Sequence, residues 1–242
     1  MRSVTSVQRH FFFLFFISLD HLSMHAPILA RTWVDVVASV PCAARTLFID
    51  FDDTIATSRW YEGSARWFED EMALIRAGRS EHFSDAIALI ARSQTHNNRS
   101  EDLIPIERDL GDRLRALRAD RDLRCTIVTA RSSASHACLS AFLRAHALLD
   151  CVDAIVYCAP SSLAPAEPKS VHIAAHLATL PIDRANAPFA FVDDSARNLD
   201  DVYAAFSSRV TTIHLCHARF WSRAITRLVY VLLRKCGLEG VV

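Results

Sequence analysis

Short apolar runs recur along the chain, and several stop abruptly at polar or acidic side chains. Leu47-Phe48-Ile49 gives way to Asp50-Phe51-Asp52-Asp53-Thr54, Cys125-Thr126-Ile127-Val128 ends at Thr129, and Phe189-Ala190-Phe191-Val192 ends at Asp193-Asp194. Runs of this length, rich in β-branched and aromatic residues, predict buried strands. Ala154–Cys158 and residues 209–215 predict two more, and helical patterns are predicted near 61–77, 82–93, 134–147, from Val171, after Ser195 and over 218–235. The sum is an α/β chain. Burying an unpaired carboxylate costs several kcal/mol, so Asp50, Asp52, Asp193 and Asp194 are expected just past the ends of their strands. In an open α/β sheet the ligand crevice lies outside that carboxyl edge.

Clustered carboxylates at such an edge most simply bind a divalent cation, and all-oxygen ligation is the preference of Mg2+. Each signal taken alone has a plainer reading. Asp-x-Asp-x-Thr is usually a solvated turn, a strand-end threonine is usually satisfied by backbone, and a single lysine is usually a surface amine. Their repetition at one architectural position changes the weighing. Between the second and third acidic or hydroxyl-ended strands lies Glu167-Pro168-Lys169-Ser170. Proline disfavours helix there and Ser170 is expected to cap a helix starting at Val171, which puts Lys169 at a loop-to-helix junction on the same rim.

This ordered set resembles the haloacid dehalogenase superfamily of phosphohydrolases, whose motifs run Asp-x-Asp-x-Thr, then Thr or Ser, then Lys, then an acidic pair. Asp50, Asp52 and Thr54 match the first, Thr129 the second, Lys169 the third, and Asp193 with Asp194 the fourth, over roughly residues 45–216. Within that superfamily, Tyr61-Glu62-Gly63-Ser64-Ala65-Arg66-Trp67-Phe68 and Ile104-Pro105-Ile106-Glu107 resemble the bacterial DUF2608 group. The resemblance implies a Rossmann-like, doubly wound parallel sheet with a small helical cap inserted after the first catalytic strand. It also implies Mg2+-dependent hydrolysis of phosphate monoesters through an aspartyl-phosphate. Asp50 is then the nucleophile and Asp52 the acid and base. Thr54, Thr129, Ala130 and Lys169 are the phosphate contacts, and Asp50, Asp52 (through its carbonyl) and Asp193 are the Mg2+ ligands. Asp194 is left open between a water-mediated ligand, a partner of Lys169 and a helix cap. Arg131 and Asn198 are left open between contact with phosphate or substrate and packing behind it.

The stretch between the first two motifs exceeds a simple strand-helix-strand connection and is rich in Trp60, Trp67, Phe68, Met72 and Phe83. Residues 58–106 are therefore expected to form the cap, with 31–57 and 107–242 as the catalytic core. Trp67 and Phe68 are expected in the cap's own core, and Tyr61, Glu62 and Arg66 are weak candidates for substrate contact. The 27 basic and 27 acidic residues cancel, so no nucleic-acid partner is indicated; a small phosphorylated substrate is the partner that the resemblance implies. The arginines of Arg113-Leu114-Arg115-Ala116-Leu117-Arg118 read as one solvated face of an amphipathic helix.

Seven cysteines without metal-ligand spacing read as buried free thiols and favour a reducing compartment. Residues 1–30 pull the other way. Arg2 and Arg9 precede an apolar run, Phe11–Leu19, of signal-peptide length that is too short to span a bilayer. Asp20 interrupts the run, and Met24 offers an internal start. The cysteines and Asp20 favour a cytoplasmic location; export with cleavage after Ala30 is the alternative. Rival activities on the same motifs are a phosphotransferase or phosphomutase, and a non-catalytic binding protein. Asp52 argues against the last, because a bare cation site needs that residue's carbonyl but not its acid.

Overall fold

The computed structural model describes residues 26–59, 64–80, 83–89, 92, 99–161 and 166–216. Six strands form one sheet: β1 (Ile28–Ala30), β2 (Thr46–Ile49), β5 (Arg124–Ser132), β6 (Ala154–Ala159), β7 (Phe189–Asp193) and β8 (Val210–Leu215). Their order is β1-β8-β7-β2-β5-β6, and every neighbouring pair is parallel. Two further strands, β3 (Ala56–Ser58) and β4 (Leu103–Pro105), pair antiparallel as a separate ribbon. Helices among the described residues include α1 (Trp33–Ser39), α2 (Ala65–Arg76), α3 (Leu110–Ala119), α4 (His136–Ala145), α5 (Lys169–Leu177), α6 (Ile182–Ala185) and α7 (Ala196–Phe206).

Strand alternation sorts the apolar runs onto two faces. Leu47, Ile49, Cys125, Ile127, Ala190 and Val192 join one buried cluster with residues of α1, α3 and α4. Phe48, Val128, Phe189 and Phe191 join a second with Ile173 and Leu177 of α5 and Leu199 and Val202 of α7. The runs are continuous because both faces are covered. Helices on both sides of a parallel sheet make the fold doubly wound, and its order reverses at β2: the chain builds outward through β5 and β6, then crosses back to β7 on the other side. The crevice beyond the carboxyl ends of β2 and β7 is thus the switch point, where ligands bind in such sheets.

Several local expectations are corrected. β5 does not stop at Thr129 but runs on to Ser132, with its pairing to β6 shifting register between Thr129 and Ser132. Thr129 and Arg131, two residues apart on one side of the strand, are both buried. The helix expected from Val171 starts at Lys169 with Pro168 as its N-cap residue, so Ser170 lies inside the first turn. Residues 28–30, placed by the sequence reading in an amino-terminal extension, form the edge strand β1 with Ala30 in the core. The predicted helix over 218–235 and the apolar run Phe11–Leu19 lie outside the described residues. Of the helix expected near 82–93, residues 86–89 and 92 are helical.

The interval between β3 and β4 contains α2, which starts at the N-cap Ser64, whose hydroxyl accepts from the Trp67 amide at 3.1 Å. Trp67 is buried and meets Phe83 edge-on at 5.9 Å. In α3, Leu114 and Leu117 face the core, while Arg113 pairs with Asp109 at 2.5 Å and Arg118 with Asp153 at 3.1 Å. Six cysteines are described, all as free thiols: Cys42 is exposed, and Cys125, Cys138, Cys151 and Cys158 are buried. Burial pushes the Cys125 and Cys158 thiols up to about 12, which makes both inert near neutral pH. None of the described helices is long and apolar enough to cross a membrane.

Candidate active site

Strand β2 delivers Asp50 to the switch point by extending its ladder one residue. The Asp50 amide donates to the Val192 carbonyl of β7 at 2.9 Å, so the residue is held by sheet geometry although β2 ends at Ile49. The chain then turns tightly: the Ile55 and Ala56 amides both donate to the Phe51 carbonyl at 3.0 Å, and the Asp53 amide donates to the Ala56 carbonyl at 2.6 Å. Asp53 takes the left-handed conformation, φ 59°, which short polar side chains tolerate best after glycine. Its carboxylate accepts the Thr57 hydroxyl at 2.6 Å. The third acid of the run thus fastens the turn to β3. Behind the turn, the Trp33 indole donates to the Thr54 carbonyl at 3.1 Å, and the Glu107 carboxylate accepts the Trp33 amide at 2.8 Å. Sequence spacing gave no signal of these two contacts, which join α1 to both ends of the interval.

Lys169, at the first position of α5, is the centre of the charge arrangement. Its Nζ donates to Asp50 Oδ1 at 2.5 Å and to Asp193 Oδ2 at 2.7 Å, and lies 5.8 Å from the centre of the Phe191 ring. Burial alone would depress this ammonium, which is 4% exposed, but Asp193 and Asp50 together hold it above its usual range. Helix α5 is capped from outside: the Ser170 amide donates to Asp201 Oδ2 at 3.1 Å and its hydroxyl to Asp201 Oδ1 at 3.0 Å. Asp201 belongs to α7. The same helix supplies Asn198, whose Nδ2 donates to both carboxylate oxygens of Asp193 at 3.2 and 3.1 Å, and the Ser195 amide donates to Asp193 Oδ1 at 2.8 Å.

The sequence-predicted residues divide as follows. Asp50, Asp193 and Asp194 come together, one oxygen from each lying within 4.8 Å of the others. Burial pushes Asp50 up to about 8, opposed by Lys169 and helped by Asp193 and Asp52. Burial also raises Asp194 well above the ordinary carboxylate range, with Asp50 and Asp193 adding to it. Three crowded carboxylates sharing one lysine, with only oxygen to offer, fit a hard divalent cation. Thr54, expected on the phosphate, is buried and donates its hydroxyl to Asp50 Oδ2 at 3.3 Å. Thr129 is buried, with its hydroxyl accepting the Arg131 amide at 3.2 Å, and Ala130 beside it is exposed. The Asp52 carboxylate is gripped by Arg131, Nε to Oδ2 at 3.0 Å and Nη2 to Oδ1 at 2.6 Å. Tyr61 and Glu62 lie outside the described residues, and of Arg66 only the backbone, in α2, is described.

No family model matches the chain, and no curated protein matches it. Solved structures do resemble it. A haloacid dehalogenase-like hydrolase of Streptococcus pneumoniae is 12% identical with a TM-score of 0.47, over 76% of this chain and 99% of that one. A magnesium-bound protein of Bacillus subtilis, assigned as a haloacid dehalogenase-type hydrolase, is 13% identical with a TM-score of 0.47, over 76% and 99%. The L-2-haloacid dehalogenase of Xanthobacter autotrophicus is 15% identical with a TM-score of 0.44, over 76% and 83%. Likenesses this distant say nothing of the chemistry. The fold is read from the chain's own sheet. It is the Rossmann-like, doubly wound α/β arrangement that the motif resemblance implied.

Proposed function

We propose that this chain is a Mg2+-dependent phosphatase of the haloacid dehalogenase type, acting on phosphate monoesters through an aspartyl-phosphate. The observation that carries the reading is Asp50: a carboxylate at the carboxyl end of the central strand, touched by Lys169 and crowded by Asp193 and Asp194. A phosphate monoester resists attack because its oxygens are anionic, so catalysis requires charge compensation and a positioned nucleophile. Asp50 attacks phosphorus, forming an Asp50 oxygen–phosphorus bond as the ester oxygen–phosphorus bond breaks. Asp52 gives a proton to the departing oxygen. It then takes a proton from the water that attacks the same phosphorus, releasing inorganic phosphate and restoring the Asp50 carboxylate. Lys169 offsets the negative charge of Asp50 and of the phosphate oxygens, with Thr129 and the Ala130 amide as the phosphate contacts. Thr54 holds the second Asp50 oxygen in place.

Asp50, Asp193, Asp194 and the Asp52 carbonyl are the groups that would hold Mg2+, the cation whose preference for oxygen they match. When bound, it supplies positive charge against the substrate phosphate. The pairing of β3 with β4 supports reading 58–106 as a cap whose two connections are tied at its base, and a cap serves to keep stray water from the acyl phosphate. The test is phosphate release by purified protein from a panel of monoesters with Mg2+, repeated with EDTA and with Asp50→Asn. Release that is abolished by both supports the reading; a panel left untouched, or an Asp50→Asn protein with full activity, overturns it.

A further inference from the structure

The most constrained side chain that the reaction above does not use is Arg131. It is 4% exposed, its guanidinium carbon lies 5.1 Å from the centre of the Phe51 ring, and two of its nitrogens bond the two oxygens of Asp52. Its own amide is bound to the Thr129 hydroxyl, and it sits within the register shift of β5. Strand alternation puts Thr129 and Arg131, two residues apart, on one side of β5, both buried, with Ala130 exposed between them. Asp52 itself is 29% exposed and sits in the turn beyond β2, where a lone aspartate would sample several rotamers. A guanidinium fork fixes a carboxylate in plane and direction in a way a point charge cannot.

We infer that Arg131 is the positioning residue for Asp52, setting the carboxylate where it meets the departing oxygen. The inference rests on the phosphatase reading and deepens it. Its consequence is selective. A poor leaving group such as a simple alkoxide departs only with its proton, whereas p-nitrophenolate departs without help, so misplacing Asp52 harms the first far more than the second. The transferred phosphoryl group is identical in the two esters. A residue that served only phosphate binding, or only the fold, would therefore change both by the same factor.

The experiment compares kcat/KM for p-nitrophenyl phosphate and for an alkyl phosphate in the wild type and in Arg131→Gln, Arg131→Lys and Asp52→Asn. The ratio kcat/KM includes no step after the leaving group has gone, so water attack on the aspartyl-phosphate, common to both esters, does not enter it. Arg131→Gln is expected to lower the alkyl-to-aryl ratio by about 10²-fold, the scale of a roughly 1 Å misplacement. Arg131→Lys, which keeps charge but loses the fork, should lower it by less. The double variant Asp52→Asn/Arg131→Gln should show no discrimination beyond Asp52→Asn alone. Thermal unfolding reports whether each variant folds, and the lysine variant carries the test if the glutamine variant does not. Equal losses on both esters, or no loss on either, overturns the inference while leaving the phosphatase reading intact. A wild type inactive on both, and on the wider panel, overturns that reading and this one with it.

Discussion

Replacing Lys169 with methionine removes the ammonium between Asp50 and Asp193 while nearly keeping the volume of the side chain. In the wild type Nζ lies 2.5 and 2.7 Å from two carboxylates that are themselves buried. Removing one partner from a buried, hydrogen-bonded ion pair costs about 3–5 kcal/mol, because the charge left behind is uncompensated. The pair is nearly inaccessible to solvent, so no discount for screening applies. At about 2–4 °C per kcal/mol for a chain of this length, the melting temperature in EDTA should fall by roughly 6–20 °C. Mg2+ should then recover part of the loss, about 2.7 kcal/mol at a hundredfold excess over its dissociation constant. The variant should gain more from Mg2+ than the wild type does, since the lysine that repels the cation has gone. Neutralising one acid, in Asp50→Asn/Lys169→Met, should also raise the melting temperature above that of Lys169→Met. Circular dichroism melts of the three proteins, with EDTA and with Mg2+, contain the whole test. A Lys169→Met protein that melts with the wild type in EDTA would refute the argument that this lysine compensates the buried acids.

Asp50→Asn should abolish phosphate release without a change in far-ultraviolet circular dichroism, because the amide keeps the shape but cannot attack phosphorus; malachite-green assays decide it. Asp52→Asn should slow turnover of an alkyl ester by about 10²- to 10⁴-fold, and steady-state rates unchanged by it would remove Asp52 from the acid and base role. Ca2+ should fail to replace Mg2+ and should inhibit, since its larger and looser shell lets both Asp50 oxygens bind the cation; equal rates with the two ions would contradict this. Burial, opposed by Lys169, leaves Asp50 at about 8 against an ordinary value of 3.8, so the folded metal-free chain binds the extra proton between those limits. That contribution is complete below about pH 4 and declines as pH rises toward 8, so urea midpoints in EDTA should be higher at pH 5.5 than at pH 8.5, and the reverse order would exclude it.

The strands β2, β5, β6, β7 and β8 were legible because a sheet covered on both faces demands continuous apolar runs, and the acids that end them mark the crevice. Asp50, Lys169, Asp193 and Asp194 were legible for the same reason: each lies at or just past the end of an element that the sequence signals. The bulge in β5 was not, since an extra residue in one strand leaves no mark on composition, and the Asp52–Arg131 fork joins residues far apart in the chain. The ribbon β3–β4 was missed because three-residue strands fall below the length at which alternation can be seen. Ser170 was read as a cap from its neighbours in sequence, whereas the first turn of α5 is satisfied by Asp201, which no local pattern could supply.

Helix α7 holds two acceptors and donors one turn apart, Asn198 on Asp193 and Asp201 on Ser170, next to Lys169. The acid and the base of the central ion pair therefore share a single anchor, though they come from β7 and α5. Asp50 is laddered to the very strand that carries Asp193, its amide donating to the Val192 carbonyl, so the sheet fixes the two acids' backbones and α7 is left to aim the Asp193 carboxylate and the start of α5.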